Sequence, residues 1–346
     1  MAPPRIGVLP AGPRGTIADV RGVTVGHCTL DAGDVQTGVT VVGPHAGDPF
    51  LDKVPAAAVV INGFGKSVGI LQVNELGVLE TPIALTNTFS VGTVATAQIR
   101  AATAAHPGIA RTTTSVNPLV FECSDAFLSD MQALSVTETH YGEALAAAGA
   151  EFARGSVGAG RGMSCFGLKG GIGTASRVVR TGDVDVTLGA LVLANFGRTE
   201  SLTLAGRRIG PALARRLAAM AAQRDAGSII VVLATDAPLD HRQLRRVAMR
   251  AAAGIGRTGS YYGHGSGDIA LAFSTAYTLP HSPAASVLSH RALAEPLLEG
   301  LFDAAAEATE AAIVDALFAA TTLTGFQGHT RHALLDVAPD WAEIPA

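Results

Sequence analysis

The chain has 346 residues, of which 48% are hydrophobic and only 16% are charged, enough for a large core and unlike a disordered chain. Its 25 Lys and Arg against 29 Asp and Glu leave a net charge of −4, and no block of five or six basic residues occurs. We therefore expect neither nucleic acid nor a membrane surface as a partner.

The cysteines and the N-terminus bear on the compartment. Cys28, Cys123 and Cys165 are odd in number and widely spaced, which fits neither a disulfide framework nor a Cys-x-x-Cys metal site and predicts reduced thiols in the core. The first residues lack a charged segment followed by an apolar one, and the chain has no uninterrupted apolar run of about eighteen residues. We expect a cytoplasmic protein, with a periplasmic location left open.

Apolar runs and Ala-rich stretches predict the elements along the chain. Strands are expected at residues 39–42 and 58–61, followed by helices at 92–105 and 142–154. A strand at 184–194 precedes helices at 208–222 and 239–253. The segment 291–322 should contain the longest helix, which Pro296 must start or kink because proline cannot continue the hydrogen-bond ladder. Strands too apolar to face water, with helices outside them, predict layered α/β packing in a single domain over residues 1–346.

The sequence offers no clear place for a cofactor. The glycines of residues 155–173 are too dispersed for a phosphate loop and show no compelling dinucleotide fingerprint. His329 and His332 are three apart and could share a helix face, but no third ligand with metal-site spacing accompanies them. We predict no cofactor and no metal.

One pair of residues stands out when it is combined with the rest of the chain. Gly227 and Ser228 open an apolar run, which alone would indicate a turn entering a buried strand. Some forty residues later, Ser266 and Asp268 lie on a glycine-rich stretch that leads into another strand. Five ordered blocks, at residues 19–27, 37–40, 79–88, 165–177 and 191–197, complete a pattern that resembles the L-aminopeptidase/D-esterase family of the DmpA type, which includes the β-aminopeptidases.

The resemblance covers nearly the whole chain and implies a fold and an activity. The fold would be a four-layer αββα sandwich, like that of N-terminal-nucleophile hydrolases but with different strand connectivity, as in the ornithine acetyltransferases. Family precursors cut themselves before a serine, which here implies an α chain of residues 1–227 and a β chain of residues 228–346. The activity implied is that of a self-processing serine aminopeptidase acting on short peptides, amides or esters. Relatives form homo-oligomers, so a tetramer or larger assembly is expected.

Elementary chemistry explains why a serine would serve at this position. A serine at a chain terminus carries its own base, an α-amino group whose ordinary pKa is about 7.7–8.0. The Ser228 hydroxyl would first attack the carbonyl carbon of Gly227 and form an ester that water cleaves. Glycine at 227 would help because it tolerates unusual backbone angles and leaves the carbonyl open to approach.

The resemblance also implies roles for the neighbours of Ser228. Ser266 would relay hydrogen bonds to the Ser228 hydroxyl and amine, while Asp268 would orient the group and stabilise positive charge on it. Asn195 matches the side-chain donor that stabilises the oxyanion in the family, and such a donor contributes roughly 10²–10³ in rate.

The predicted substrate-binding residues include two departures from the family. Asp125 first, and Glu122 second, are the expected partners for a substrate ammonium. Phe127 aligns with a family tyrosine whose hydroxyl reaches the active site, so a water, a backbone N–H or the hydroxyl of Tyr141 would replace it, or the pocket would take other substrates or work more slowly. Lys66 lies in a loop that tends to be acidic in relatives and could alter which groups fit.

Two other functions stay open at this point. An acyltransferase resembling the ornithine acetyltransferases would share the architecture and self-cleavage, but it would use threonine as the nucleophile, and Ser228 argues against it. An unprocessed, catalytically silent binding protein is suggested only by Phe127. The choice among L-, D- and β-amino acids depends on loops that the sequence does not position.

Overall fold

The computed structural model describes residues 2–218 and 227–344. The strands are β1 (Thr24–Ala32), β2 (Val35–Gly43), β3 (Asp52–Gly63), β4 (Val78–Leu79), β5 (Ile83–Asn87), β6 (Val120–Cys123), β7 (Ser164–Cys165), β8 (Leu168–Lys169), β9 (Gly171–Thr181), β10 (Val184–Asn195), β11 (Ser228–Thr235), β12 (Gly267–Ser274), β13 (Leu279–Pro280), β14 (Leu323–Thr324) and β15 (Thr330–Arg331). The α-helices are α1 (Ile70–Leu76), α2 (Val91–Ala105), α3 (Glu138–Ala146), α4 (Gly210–Ala218), α5 (His241–Met249), α6 (Ala251–Arg257), α7 (Glu299–Ala319) and α8 (Leu334–Val337).

Two sheets face each other across an apolar core. The first has the order β1-β2-β5-β6, and the second has the order β13-β3-β12-β11-β10-β9, with β4 pairing on β3. Phe121 and Leu85 of the first sheet pack with Leu193, Ile230 and other buried side chains of the second. Every residue of β11 and β12 is buried, which is why these runs lack any polar alternation.

Helices cover the outer faces of both sheets. Helices α2 and α3 pack on the first sheet, where Val94 and Tyr141 join a separate apolar cluster. Helices α5, α6 and α7 pack on the second sheet, and α7 is almost wholly buried against β9 and β10. The layers therefore run helix, sheet, sheet, helix, and the predicted four-layer αββα sandwich is confirmed.

Most predicted elements are found, with shifted ends. Helix α2 and strands β2, β3 and β10 lie where the patterns placed them, and the helix predicted at 239–253 is divided at Arg250 into α5 and α6. Pro296 lies in a short 3-10 helix, Glu295–Leu298, that leads into α7, so it starts the helix rather than kinking it. The helix predicted at 208–222 is described as far as Ala218, and residues 219–222 lie outside the described part.

The prediction of a helix at 142–154 was wrong over most of its length. Helix α3 begins earlier, where Thr137 and His140 form a capping box, and it ends at Ala146. Beyond it, Gly149 exchanges backbone hydrogen bonds with Val25 at the start of β1. Pairing with the sheet thus overrides the helix propensity of the Ala-rich sequence.

Two further features concern the compartment. No helix within residues 2–218 and 227–344 combines the length and apolarity needed to cross a bilayer. All three cysteines are free thiols, with Cys123 and Cys165 buried and Cys28 half-buried.

Candidate active site

Ser228 is the first residue of β11 and lies between β10 and β12. The antiparallel register places Asn195, the last residue of β10, directly opposite Ser228. The parallel register with β12 places Asp268 opposite Ile229. Three residues far apart in sequence are thus brought to one end of the second sheet.

The Ser228 hydroxyl is held by a backbone donor. The N–H of Gly267 donates to Ser228 Oγ at 3.0 Å, and the Cys123 thiol donates to the Ser228 carbonyl oxygen at 3.4 Å. Ser228 is 7% exposed, so its hydroxyl is largely shielded from water. Neither of these contacts has a sequence signature, because the first donor is backbone and the second is a single cysteine that reads as a core thiol.

Ser266 and Asp268 form a hydrogen-bonded pair beside Ser228. Ser266 Oγ donates to Asp268 Oδ1 at 2.6 Å, and both side chains are buried. Burial raises the pKa of the Asp268 carboxyl, and Ser266 and the nearby Ile229 backbone partly oppose this rise. The Asn62 amide donates to the carbonyl oxygens of Ser266 and Gly263 and so fixes the loop that carries the pair.

Asn195 is locked by two backbone groups. Its Oδ1 accepts from the Ser164 N–H at 2.7 Å, and its Nδ2 donates to the Ser124 carbonyl oxygen at 2.8 Å. Because a side-chain amide carries two N–H hydrogens, the contact to Ser124 uses one and leaves a second donor on the same nitrogen. The geometry fits a fixed donor beside Ser228.

Behind Asn195, a buried lysine organises the preceding loop, a feature that the sequence analysis missed. Lys169 Nζ donates to the carbonyl oxygens of Gly160, Met163 and Gly170 at 2.8–3.0 Å. Burial lowers the pKa of Lys169 to about 7. Lys169 thereby holds the turn that presents the Ser164 N–H to Asn195. A lysine inside a block of apolar and glycine residues was the available signal.

Glu122 approaches this cluster from the first sheet. Its Oε1 accepts from the Lys66 N–H at 2.8 Å and its Oε2 from the Thr88 hydroxyl. A Cβ added at Gly65 would lie 3.5 Å from Glu122 Oε1 and 3.9 Å from the Cα of Gly267, the residue that holds Ser228. Lys66 meets Glu122 through its backbone, while its ammonium lies 4.3 Å from the centre of the exposed Phe64 ring.

Asp125 is buried more completely than Glu122. It is 1% exposed, and neither carboxylate oxygen has a hydrogen-bond partner among the described residues. Burial raises the pKa of Asp125 to about 7, although the neighbouring Thr37 and Asn87 side chains oppose the rise. A carboxyl with this pKa is protonated well below pH 7 and about half ionised at pH 7.

Comparisons with known proteins bear on the family of the chain. The model of the family described as "Peptidase family S58" matches residues 15–331. The chain belongs to peptidase family S58. It is 41% identical over 342 residues to the β-peptidyl aminopeptidase BapA of Sphingosinicella microcystinivorans, covering 92% of this chain and 85% of that protein. The resemblance drawn from the sequence is confirmed, and with it the prediction of a hydrolase of the aminopeptidase class.

Solved structures resemble the whole S58 chain. The PH0078 protein from Pyrococcus horikoshii OT3 is 47% identical with a TM-score of 0.91, covering 95% of this chain and 94% of its own. The L-aminopeptidase D-Ala-esterase/amidase from Ochrobactrum anthropi is 33% identical with a TM-score of 0.88, covering 98% and 97%. The latter structure is described as a variant of the Ntn hydrolase fold, in agreement with the predicted fold class.

The residue before Ser228 in this S58 peptidase is glycine because space is lacking. A Cβ at Gly227 would lie 1.9 Å from the Asn195 carbonyl oxygen and 2.9 Å from the Phe196 Cα. Close approach to the end of β10 therefore accounts for the glycine at this position.

Gly227→Val is expected to slow self-cleavage by at least about tenfold, because the side chain must push the Gly227 carbonyl away from its position beside Asn195. The rate would be followed by intact mass on freshly purified precursor. Gly142→Val is the matched control, since nothing lies within 4 Å of a Cβ at that exposed position of α3. Equal cleavage rates for the two variants would contradict this reason for the glycine.

Neither Phe127, which has no hydroxyl, nor Tyr141, which lies on the outer side of the first sheet, supplies the hydroxyl of the family tyrosine. The Phe127 ring stacks on His329 at 4.6 Å, and the Arg331 guanidinium lies 3.5 Å from its centre. Tyr141 belongs to the outer cluster between α3 and the first sheet, whereas Ser228 lies on the second sheet. Tyr141 is therefore excluded as a substitute donor.

The histidines considered as a pair do not share a helix. His329 follows a 3-10 turn, and β15 separates it from His332. Its Nδ1 is 2.9 Å from the Phe127 carbonyl oxygen. Within the described ranges, no group of three or more His, Cys, Asp or Glu side chains could hold a metal ion.

Asp125→Asn is expected to remove a pH dependence of stability. The folded-state pKa of about 7 exceeds the unfolded value of about 3.9, so the folded state binds more protons between these values. The stability that Asp125 contributes is thus fully present below about pH 4 and is lost as pH rises through 7, by about 3 kcal/mol between pH 5 and 8. Urea denaturation at both values, in the Ser228→Ala chain with and without Asp125→Asn, measures the difference.

The control for this prediction is Asp183→Asn at an exposed position, which should keep the pH dependence of stability of the Ser228→Ala parent chain. Lys169 is present in all these variants, and because the Asp125 charge helps to raise its pKa, Asp125→Asn is also expected to lower the Lys169 pKa. If Asp125→Asn and the parent lose stability in parallel, the Asp125 carboxyl is not protonated in the folded chain.

Proposed function

We propose that this S58 peptidase is a self-processing serine aminopeptidase that releases N-terminal amino acids from short peptides, amides or esters through an acyl-enzyme on Ser228. The observation that carries the proposal is the arrangement at the start of β11. The Ser228 hydroxyl accepts from Gly267, Asn195 lies opposite in the register, and the pair of Ser266 and Asp268 lies on the adjoining strand.

Self-cleavage would create the catalyst. The Ser228 oxygen attacks the Gly227 carbonyl carbon, the Gly227–Ser228 C–N bond breaks, and the nitrogen takes up the proton lost by the hydroxyl. Water then hydrolyses the ester, leaving a carboxylate on Gly227 and a free hydroxyl and amine on Ser228. Asn195 is placed to donate to the oxyanion that forms on Gly227, and the same donor serves in turnover.

In turnover the new amine acts as the base. It takes the proton from the Ser228 hydroxyl as this oxygen attacks the substrate carbonyl, and it then gives the proton to the leaving amine or alcohol. The ammonium formed in between would lie beside Ser266 and Asp268. Its positive charge favours the ionised form of Asp268, opposing the effect of burial on that pKa. Water hydrolyses the acyl-enzyme by the same route.

Glu122 is the better-placed partner for the substrate ammonium. It lies across Gly65 from Gly267, whereas both oxygens of Asp125 are enclosed. We therefore propose Glu122 as the first contact and Asp125 as a supporting acid, reversing the order expected from sequence. The names of the relatives include β-peptidyl substrates for one and L- and D-configured substrates for the other, so all three classes are candidates.

A direct assay tests this function. The processed enzyme is given p-nitroanilides of β-alanine, L-alanine and D-alanine, together with their N-acetylated forms. Release from at least one free amine is expected, with the acetylated form cleaved at least about a hundredfold more slowly because a neutral amide cannot pair with Glu122. Equal turnover of both forms would refute ammonium recognition. A processed enzyme that releases nothing from any substrate would refute the aminopeptidase.

We also propose a cytoplasmic homo-oligomer of four or more protomers. Supporting it, Val60, Phe64, Leu71 and Leu76 on and around β3 and α1 are 50–89% exposed. The three free thiols agree with a reducing compartment. Light scattering on the purified enzyme should give at least four times the mass of one αβ pair, and a single αβ pair would rule the assembly out.

A further inference from the structure

A cavity of about 260 Å³ opens beside the predicted nucleophile, and its described lining does not include Glu122. Gly227 and Ser266 line it, together with Arg198, Ser260, Tyr261 and His264. The cavity lies where β10 ends at Asn195, and the next residues of the chain, Gly197 and Arg198, line it together with Gly227.

Arg198 gives this cavity a positive charge. No Asp or Glu of the described residues lines it, and Arg198 forms no ion pair with a described carboxylate. Its guanidinium lies 5.8 Å from the centre of the Tyr261 ring. A guanidinium with no acidic partner among the described residues, in a chain of net charge −4, is a place for an anion.

Acidic and basic groups therefore lie in different parts of this region. Glu122 lies across Gly65 from Gly267 and is not among the described residues that line the cavity, whereas Arg198 lines it together with Gly227 and Ser266. A short peptide with free ends has the same polarity, an ammonium followed by a carboxylate. In a dipeptide the carboxylate belongs to the residue directly after the scissile bond, and the Cα of that residue lies about 3.8 Å from the preceding Cα. The carboxylate is therefore close enough to the scissile bond to enter the cavity that Ser266 lines.

We propose that Arg198 binds a carboxylate in this cavity and makes the enzyme selective for short peptides with a free C-terminus over the corresponding amides. The inference rests on the proposed function, because it assigns the leaving-group side of the same site. The role of Arg198 is to recognise the substrate. Its guanidinium presents two N–H donors in one plane, so it can form two parallel hydrogen bonds to a carboxylate.

A second source can supply the same carboxylate. Self-cleavage would leave a new carboxylate on Gly227, and Gly227 lines the same cavity. Arg198 would then hold the end of the α chain and stabilise the two-chain protein, a role that the uncleaved chain cannot show.

The test compares Arg198→Ala, Arg198→Lys and the control Arg245→Ala, which removes an equally exposed arginine from α5. Each processed enzyme is given β-Ala-Ala and β-Ala-Ala amide, and the L-Ala pair in parallel. We expect Arg198→Ala to lower the ratio of kcat/KM for the acid over the amide at least about tenfold, mainly through KM. Lysine at 198 should restore part of the ratio, and Arg245→Ala should leave it at the wild-type value.

The thermal midpoint separates the two sources. The site is assigned to the Gly227 carboxylate if the acid-to-amide ratio is unchanged and the midpoint of two-chain Arg198→Ala is lower. In that case Arg198→Ala should cause no such loss in the uncleaved Ser228→Ala chain. An unchanged ratio and unchanged midpoints overturn the proposal. If the wild-type enzyme cleaves neither acid nor amide, the proposed function fails, and the midpoints still report on the cavity.

Discussion

Ser228→Ala is expected to yield one intact chain of 35.1 kDa, whereas the wild-type protein separates under denaturing conditions into residues 1–227 and 228–346. The alanine removes the only atom proposed to attack Gly227, and the Gly267 N–H loses its acceptor without any change in backbone register. Intact mass spectrometry reads the outcome directly, because the mass of each fragment fixes the cut between two named residues. The variant should also lack aminopeptidase activity.

Two matched variants control this experiment. Ser260→Ala removes a hydroxyl from the neighbouring cavity and should cleave as wild type does. Ser228→Thr keeps a hydroxyl in a buried strand and should still cleave, at a reduced rate. If the wild-type chain stays whole, the silent binding protein becomes the better interpretation. If Ser228→Ala is cut, another residue is the nucleophile.

The layered fold could be predicted because its signals are local. The runs from Leu188 to Ala194 in β10 and from Ile229 to Ala234 in β11 contain no polar side chain, which indicates strands covered on both faces, and α2 follows its pattern almost to the residue. The helix expected at 142–154 failed because its fate depends on Gly149 pairing with Val25, a contact across more than a hundred residues. Propensity carries no information on such a pairing.

The site also contains residues that the sequence could identify and contacts that it could not. Ser228, Ser266, Asp268 and Asn195 could be named from motifs, although only the strand register shows that they meet. The backbone N–H of Gly267 could not be named, since every residue but proline carries that donor. Lys66 was considered for its ammonium, yet its backbone N–H is what contacts Glu122. Side-chain identity does not reveal a role played by the main chain.

Asn195→Ala is expected to slow both self-cleavage and turnover by roughly 10²–10³, because it removes a fixed donor at a position where negative charge develops. The donor is effective because it is already held. Ser164 and Ser124 fix the amide plane before the reaction, so no reorganisation is needed as the oxyanion forms. The cleavage rate of the precursor is the primary measurement, since it needs no processed enzyme, and kcat on the cleaved fraction follows.

Asn195→Asp removes the donor and keeps one of the two structural contacts. It keeps the size of the side chain and an oxygen for the Ser164 N–H, but it offers no N–H to an oxyanion and adds a negative charge where one must form. It should therefore be at least as slow as Asn195→Ala, and it should also lower the thermal midpoint because a buried carboxylate oxygen would face the Ser124 carbonyl oxygen. An aspartate variant that cleaves within about threefold of the wild-type rate would assign Asn195 to holding the Ser164 loop, and the oxyanion donor would then have to be a backbone N–H.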